Sequence, residues 1–400
     1  MNKMWTKLIL PLILIIVALA GVSWADTSAK NKLDLLKEDL IPDRNILKGI
    51  ELLYDWDFDD AESIFQKYIE NHPDKPLGYF YHAMVTWSRL ASGFWSPETV
   101  AEYERRVDQT VAIATRKIER GQADSFTYFY MGGALGFKGR LQLMEHKWFQ
   151  SFNLAVNSIK ALKKCQELDP NNKDVLLGLG IYDYYTARLS GVLKFLTYLF
   201  IRKGNVEEGI RKLNLAANEA VYASVEAKSV LLHIYLFMES DYEKALPLAI
   251  ELAERFKNNP RQSYFLGLVY LKLYKKDDYL SVLQLMRERE ERYKGSDNSL
   301  IWRHRVLYLE SCDDIFMKHY DQAREKLEMI LKEVDKTVDP SMAAFPLLKI
   351  GMIYDLEGKR NIAIDYYNKV MMMYNGAGAQ FLAERFYDHP PSTDDPFLGY

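Results

Sequence analysis

One short frame of small and large apolar residues recurs along this 400-residue chain and limits what it can fold into. Toward the distal end it reads Leu347-x2-Ile350-Gly351-x2-Tyr354, then Ala363-x3-Tyr367-x2-Val370. Earlier it reads Ser263-x2-Leu266-Gly267-x2-Tyr270, then Tyr279-x3-Leu283-x2-Met286. Spacings of three and four place these residues on one face of a helix. Each frame is therefore two helices, and a residue as small as glycine at their contact lets them approach closely. Between Tyr242 and Phe256 the apolar residues Tyr242, Ala245, Leu246, Ala249, Leu252, Ala253 and Phe256 keep the same spacing. Strand-like alternation is absent over any useful length, so the fold class is all-α. Anchor positions Gly209, Ala245, Tyr279, Ala323 and Ala363 follow one another at intervals of 36, 34, 44 and 40 residues. A period of that size means stacked helix pairs, each burying its apolar face only against its neighbours.

The first unit runs from about Asp43 to Pro73, with Gly49 at the close approach and Asp57-Phe58-Asp59-Asp60 at the turn. Ala61-x3-Phe65-x2-Tyr68 makes its second helix, and Pro73 ends it because proline cannot continue a helix. Another helix starts near Pro76, with Tyr79 and Ala83 on its packing face. The frame lapses at 93–97 and a long helix begins near Glu98. Two longer helices fill Asp124 to Asp169, then Asp169-Pro170-Asn171-Asn172 breaks the chain and Leu176-x2-Leu179-Gly180 opens another unit. The expected organisation is a lead segment at 26–42 and an array of pairs at 43–375, irregular over 93–204. An extra apolar helix is expected at 191–203. The remainder, 376–400, reads as a capping helix and a flexible tail.

The opening residues belong to another class of segment. Lys3 and Lys7 precede the apolar run Leu8–Val22, and Ser23-Trp24-Ala25 follows it. A basic start, an apolar core and small residues before a cleavage point make 1–25 a secretory signal peptide. The run falls short of the ~20 residues that span a bilayer, although an uncleaved anchor is the alternative. The expected address is exported: periplasmic, secreted or tethered. Lys and Arg number 52 against 55 Asp and Glu, a net charge of −3, so there is no clustered basic excess for nucleic acid.

The residues offer no catalytic, cofactor or metal chemistry. No two of the seven histidines stand three or four apart, and neither HExxH nor CxxC occurs. The glycine-rich stretch Gly132–Arg140 lacks the spacing of a phosphate loop and follows a helix. Its Lys138 and Arg140 could serve an anionic ligand at a groove edge. Cys165 and Cys312 read as buried thiols rather than as a bridge. Two features stand out as binding candidates. One is Tyr182, Asp183 and Tyr185 with Arg188, where Asp183 occupies a slot the frame elsewhere gives to tyrosine. The other is 191–203, whose Phe195, Tyr198 and Phe200 could hold an apolar ligand or a membrane surface. A helix plugging the array accounts for that segment more economically.

The frame resembles the tetratricopeptide repeat (TPR), through Gly351, Tyr354, Ala363 and Tyr367 above all, with Gly267, Tyr270, Ala245 and Ala61 in support. Over Asp43 to Met373 the chain resembles exported bacterial TPR proteins. The stretch Phe195 to Leu236, with Lys203-Gly204-Asn205-Val206-Glu207-Glu208-Gly209, is also locally similar to a eukaryotic TPR family linked to lipid droplets and inclusion clearance. The resemblance implies a right-handed α-solenoid without chemistry of its own. It further implies a non-enzymatic scaffold holding a protein or peptide partner in its groove. The alternative is a carrier of lipid or another apolar ligand through 191–203.

Overall fold

A computed structural model of the chain describes residues 42–92, 96–145, 147–188, 204–336, 339–373 and 378–399, side chains at 297 and 298 excepted. The signal-peptide reading of 1–25, the lead segment as far as 41, and the apolar segment 191–203 with Phe195, Tyr198 and Phe200 lie outside the described residues. The chain divides into two compact units, Met1–Leu47 and Lys48–Tyr400. Of the first, the described part is the opening of one helix, and the rest of the described structure belongs to the second.

Among the described residues are seventeen α-helices and no strand. They follow one another as pairs: α1 (Arg44–Tyr54) with α2 (Phe58–Asn71), α3 (Pro76–Ser92) with α4 (Pro97–Glu119), and α5 (Ser125–Met144) with α6 (Trp148–Leu168). Next come α7 (Val175–Ala187) with α8 (Val206–Glu219), and α9 (Ser224–His233) with α10 (Tyr242–Arg255). A π-helical turn, Ile234–Met238, continues α9. The last pairs are α11 (Pro260–Lys272) with α12 (Lys276–Arg292), α13 (Asp297–Phe316) with α14 (Tyr320–Glu333), and α15 (Pro340–Leu356) with α16 (Arg360–Met371). A single helix, α17 (Ala379–Asp388), and a 3₁₀ turn, Pro396–Gly399, complete it. This is an all-α solenoid of helix pairs.

The small residues of the frame sit where helices touch. Ala61, Ala245, Ala323 and Ala363 are fully buried. A Cβ on Gly351 would fall 2.8 Å from the Tyr367 ring, so the glycine and the tyrosine of the frame are two halves of one contact. At Gly209 on α8 the neighbour is backbone: a Cβ would lie 2.6 Å from the Tyr184 nitrogen. Alanine in place of a helical glycine in open space gains about 1 kcal/mol. Here α7 would have to move, and Gly209→Ala is expected instead to lose about 2 kcal/mol. A urea midpoint unchanged or raised would show that α7 and α8 can separate freely.

The turn inside a pair repeats a geometry that the residue types conceal. Trp56, Ser240, Tyr274, Lys318 and Gly358 all have positive φ, from 53° to 75°, just before the second helix. The next residue then donates its N–H back into the first helix, as in Lys275 to Tyr270 at 2.9 Å and Lys359 to Tyr354 at 2.8 Å. That pattern satisfies the orphan carbonyls of a helix end. Only one of the five is glycine, so packing around the turn overrides the local preference against a left-handed residue.

First helices of neighbouring pairs also touch each other: α3 with α5, α5 with α7, α11 with α13 and α13 with α15. No two second helices approach comparably among the described residues. Elements on the inside of a bend converge, so first helices line the concave side. The curvature brings the array back onto itself. Tyr54 bonds to Glu226, Asn258 donates to Asp55 at 2.9 and 2.7 Å, and Asn259 donates to the Tyr54 carbonyl at 2.9 Å. Arg255 pairs with Glu51, and Arg261 holds the Ala91 carbonyl. The inner face of the early pairs is filled by Phe80, Tyr81, Phe126 and Tyr130, whose rings meet at 5.2 to 6.2 Å. None of the described helices is long and apolar enough to cross a membrane.

Within the segment expected as a flexible tail, the last described residues pack against the array. Leu398 is 1% exposed and Gly399 is buried. The reason is ordinary: Phe397 and Leu398 carry apolar surface, and an apolar face lies within reach of them.

Candidate functional site

The inner face of the last four pairs is made by α9 with its π turn, α11, α13 and α15. Phe237 and Phe265 contribute a T-shaped ring pair at 5.9 Å, and Tyr264 lies against Tyr308 at 5.8 Å. Leu268, Cys312 and Lys349 extend the surface across α11, α13 and α15. Two lysines interrupt the apolar lining. Lys272 packs its ammonium 4.4 Å from the Phe316 ring centre. Burial, with Lys349 close by, brings its pKa down to about 8. Lys349 is 1% exposed, 5.1 Å from the Tyr308 ring centre, and burial depresses its pKa against the pull of Cys312 and Asp395.

This face is occupied by the 395–399 turn. Lys349 Nζ donates to the Leu398 carbonyl and the Tyr264 hydroxyl donates to the Gly399 carbonyl. Cys312 Sγ lies 4.0 Å from the same Leu398 oxygen. Phe397 stacks on Phe237 with ring centres 6.2 Å apart and planes 13° apart. A Cβ on Gly399 would come within 2.5 Å of Leu268, so the backbone itself presses on α11. From the other side Arg385 pairs with Asp395 at 3.1 Å and lies 5.2 Å over the Phe397 ring. Asp395 also accepts from the Phe397 N–H at 2.9 Å, which shapes the turn. The arrangement grips a polypeptide by main-chain carbonyls and seats two apolar side chains. Among the described residues no group of three or more His, Cys, Asp or Glu is placed to hold a metal ion.

Among the described residues, those singled out from sequence lie on two other helices: Tyr182, Asp183 and Tyr185 on α7 with Arg188 at its end, and Lys138 and Arg140 on α5. Asp183 pairs with Lys212 of α8. Arg188 pairs with Glu239, which also takes the Tyr184 hydroxyl, and its guanidinium lies 5.0 Å over the Tyr184 ring. Tyr185 meets Tyr184 edge to face, and Tyr182 gives its carbonyl to the Thr186 hydroxyl at 2.6 Å. Lys138 pairs with Asp108 of α4 at 2.5 Å. Arg140 lies 5.2 Å over the Trp87 ring. Burial, with Arg140 and Arg261 adding repulsion, lowers the His233 pKa to about 4.

Sequence inspection passed over Tyr264, Phe237 and Lys349. Lys349 had a usable signal, as the one charged residue from Pro340 to Tyr354 of α15. The thiols are free and buried, and burial pushes Cys165 up to about 12.

No family model matches the chain, and no curated protein matches it. Among solved structures the chain is similar to yeast Tom70, at 12% identity and a TM-score of 0.37, over 87% of this chain and 89% of that one. It is also similar to the TPR domain of P58(IPK), at 15% identity and a TM-score of 0.22, over 89% and 95%.

Proposed function

We propose that the protein is a non-enzymatic scaffold, exported to the cell envelope, that holds a segment of a protein partner on the first-helix face of its last four pairs. One observation carries this: that face already accommodates a polypeptide through hydrogen bonds from Lys349 and Tyr264 to main-chain carbonyls. Such bonds are available to any peptide, while the seats of Phe397 and Leu398 set the preference for side chains. An α-solenoid offers an extended concave surface for this purpose. The address rests on the basic, apolar and small-residue order of 1–25.

In-cell crosslinking tests it, with a photoreactive residue at Phe265 on the groove or at Tyr185, and at 287–292 as the control face. A reproducible protein adduct from the groove, absent from the control, is expected in the envelope fraction. Lipid co-purifying without any protein adduct would overturn the scaffold and favour a carrier.

A further inference from the structure

The occupant of the groove is part of the same chain, and its surroundings are those of a removable one. Residues 387–390 and 392–394, which lead into the turn, are exposed. The tether is short, and Arg385 holds Asp395 from α17 rather than from the groove. Among the described residues, Lys349, Tyr264 and Cys312 meet carbonyls of the turn, and the side chains seated on the face are Phe397 and Leu398. Lys349 sets a condition on any replacement. It is 1% exposed with the turn in place, so a segment that covers it equally must also offer it an acceptor such as a main-chain carbonyl.

We propose that the 395–399 turn is an intramolecular competitor. It would be displaced by a partner segment presenting an acidic residue followed within two residues by an aromatic–aliphatic pair. This rests on the scaffold function proposed above and adds its regulation and the chemistry of the partner. A segment tethered this closely acts at an effective concentration in the millimolar range. A free segment of equal quality therefore binds the closed protein far more weakly than the open one. Partners that succeed are those bearing a better pair, or those held nearby by a second contact.

The two thiols supply the test, because Cys312 lies under the turn and Cys165 lies on α6, and both are fully buried. In the wild-type full chain, Cys312 is expected to be alkylated at least tenfold faster than Cys165, since the turn opens locally without unfolding the array. Equal rates would mean that the turn opens only with the whole fold, which overturns the proposal without any variant. In Leu398→Asp, Cys312 should react at least tenfold faster than in wild type while Cys165 is unchanged. A fluorescent peptide of residues 388–399 should bind this variant at least tenfold more tightly than wild type and protect Cys312 again. Equal binding to both proteins, or none to either, overturns the proposal. If Leu398→Asp also exposes Cys165, Lys349→Met replaces it, and Cys312 left as slow as in wild type there counts against. Wild-type dimerisation with Cys312 still protected would make a second copy the occupant, against the proposal. A partner crosslinked at Phe265 in a protein whose turn never opens would keep the scaffold and remove the competitor.

Discussion

Arg305→Met is expected to destabilise the protein by about 3–5 kcal/mol, the range for breaking a buried ion pair by removing one partner. Arg305 of α13 is 8% exposed and Asp339, which caps α15, is 7% exposed. Arg305 Nη1 lies 2.9 Å from Asp339 Oδ2. The other carboxylate oxygen takes the Met342 N–H at 3.1 Å and the Ser341 hydroxyl. Burial is the largest influence on Asp339 and acts to raise its pKa. Arg305 and these hydrogen bonds outweigh it, so the net value lies below the ordinary 3.8. A carboxylate depressed in this way stabilises the folded state above its unfolded value, and that contribution is lost as pH falls through the folded one. In Arg305→Met the largest lowering influence is gone and burial is opposed only by Ser341 and Met342, so the folded pKa moves upward. The deficit should then be greatest at neutral pH and shrink toward about pH 4. Urea unfolding at both ends of that range checks the sign. A deficit below about 1 kcal/mol, or one that does not change with pH, would show that the pair is not what aligns α13 with α15. Since Cys312 and Lys349 ride on those two helices, loss of the pair should also loosen the seat of the 395–399 turn.

How far the fold could be read ahead depends on the distance between partners. The contact of Gly351 with Tyr367 lies within one repeat, so two residues of the frame announce both sides of it. Buried Ala245, Ala323 and Ala363 are equally local, because the period alone assigns them to helix contacts. The return of the array onto itself is not local. Tyr54 and Glu226 are 172 residues apart, and nothing around either names the other. The partners of the charged candidates are out of reach for a related reason. Asp183 and Arg188 stand out along the chain because they depart from the frame, but their partners Lys212 and Glu239 are supplied only by the packing around α7. The groove was hidden from the other direction. Its occupant sits in 376–400, where three prolines and three aspartates masked the apolar pair Phe397-Leu398.

Asp174 should matter nearly as much as the ion pair, for reasons of hydrogen bonding rather than charge. It is 2% exposed at the start of α7 and reaches across to the bend that begins α9. Oδ1 accepts from the N–H groups of Tyr222 and Ala223, both at 2.7 Å, and Oδ2 accepts from Val221 at 3.3 Å. Burial raises its pKa and these three bonds only partly offset that, so the net shift is upward. The carboxylate's charge is thus not what the site rewards; its oxygens are. Asp174→Ala takes the acceptor from three backbone donors, of which that of Ala223 is buried, and is expected to lose about 3 kcal/mol. Asp174→Asn keeps one acceptor oxygen for Tyr222 and Ala223 and should lose only about 1 kcal/mol. Amide exchange gives the local readout: protection at 222 and 223 should vanish in Asp174→Ala and persist in Asp174→Asn. The effect should travel, because the bend orients α9, whose π-helical continuation carries the Phe237 ring that Phe397 stacks upon. Cys312 should accordingly become easier to alkylate in Asp174→Ala than in Asp174→Asn. If instead the two variants match in urea midpoint and in exchange, the bend is held by the helices on either side of it, and Asp174 merely occupies the space between.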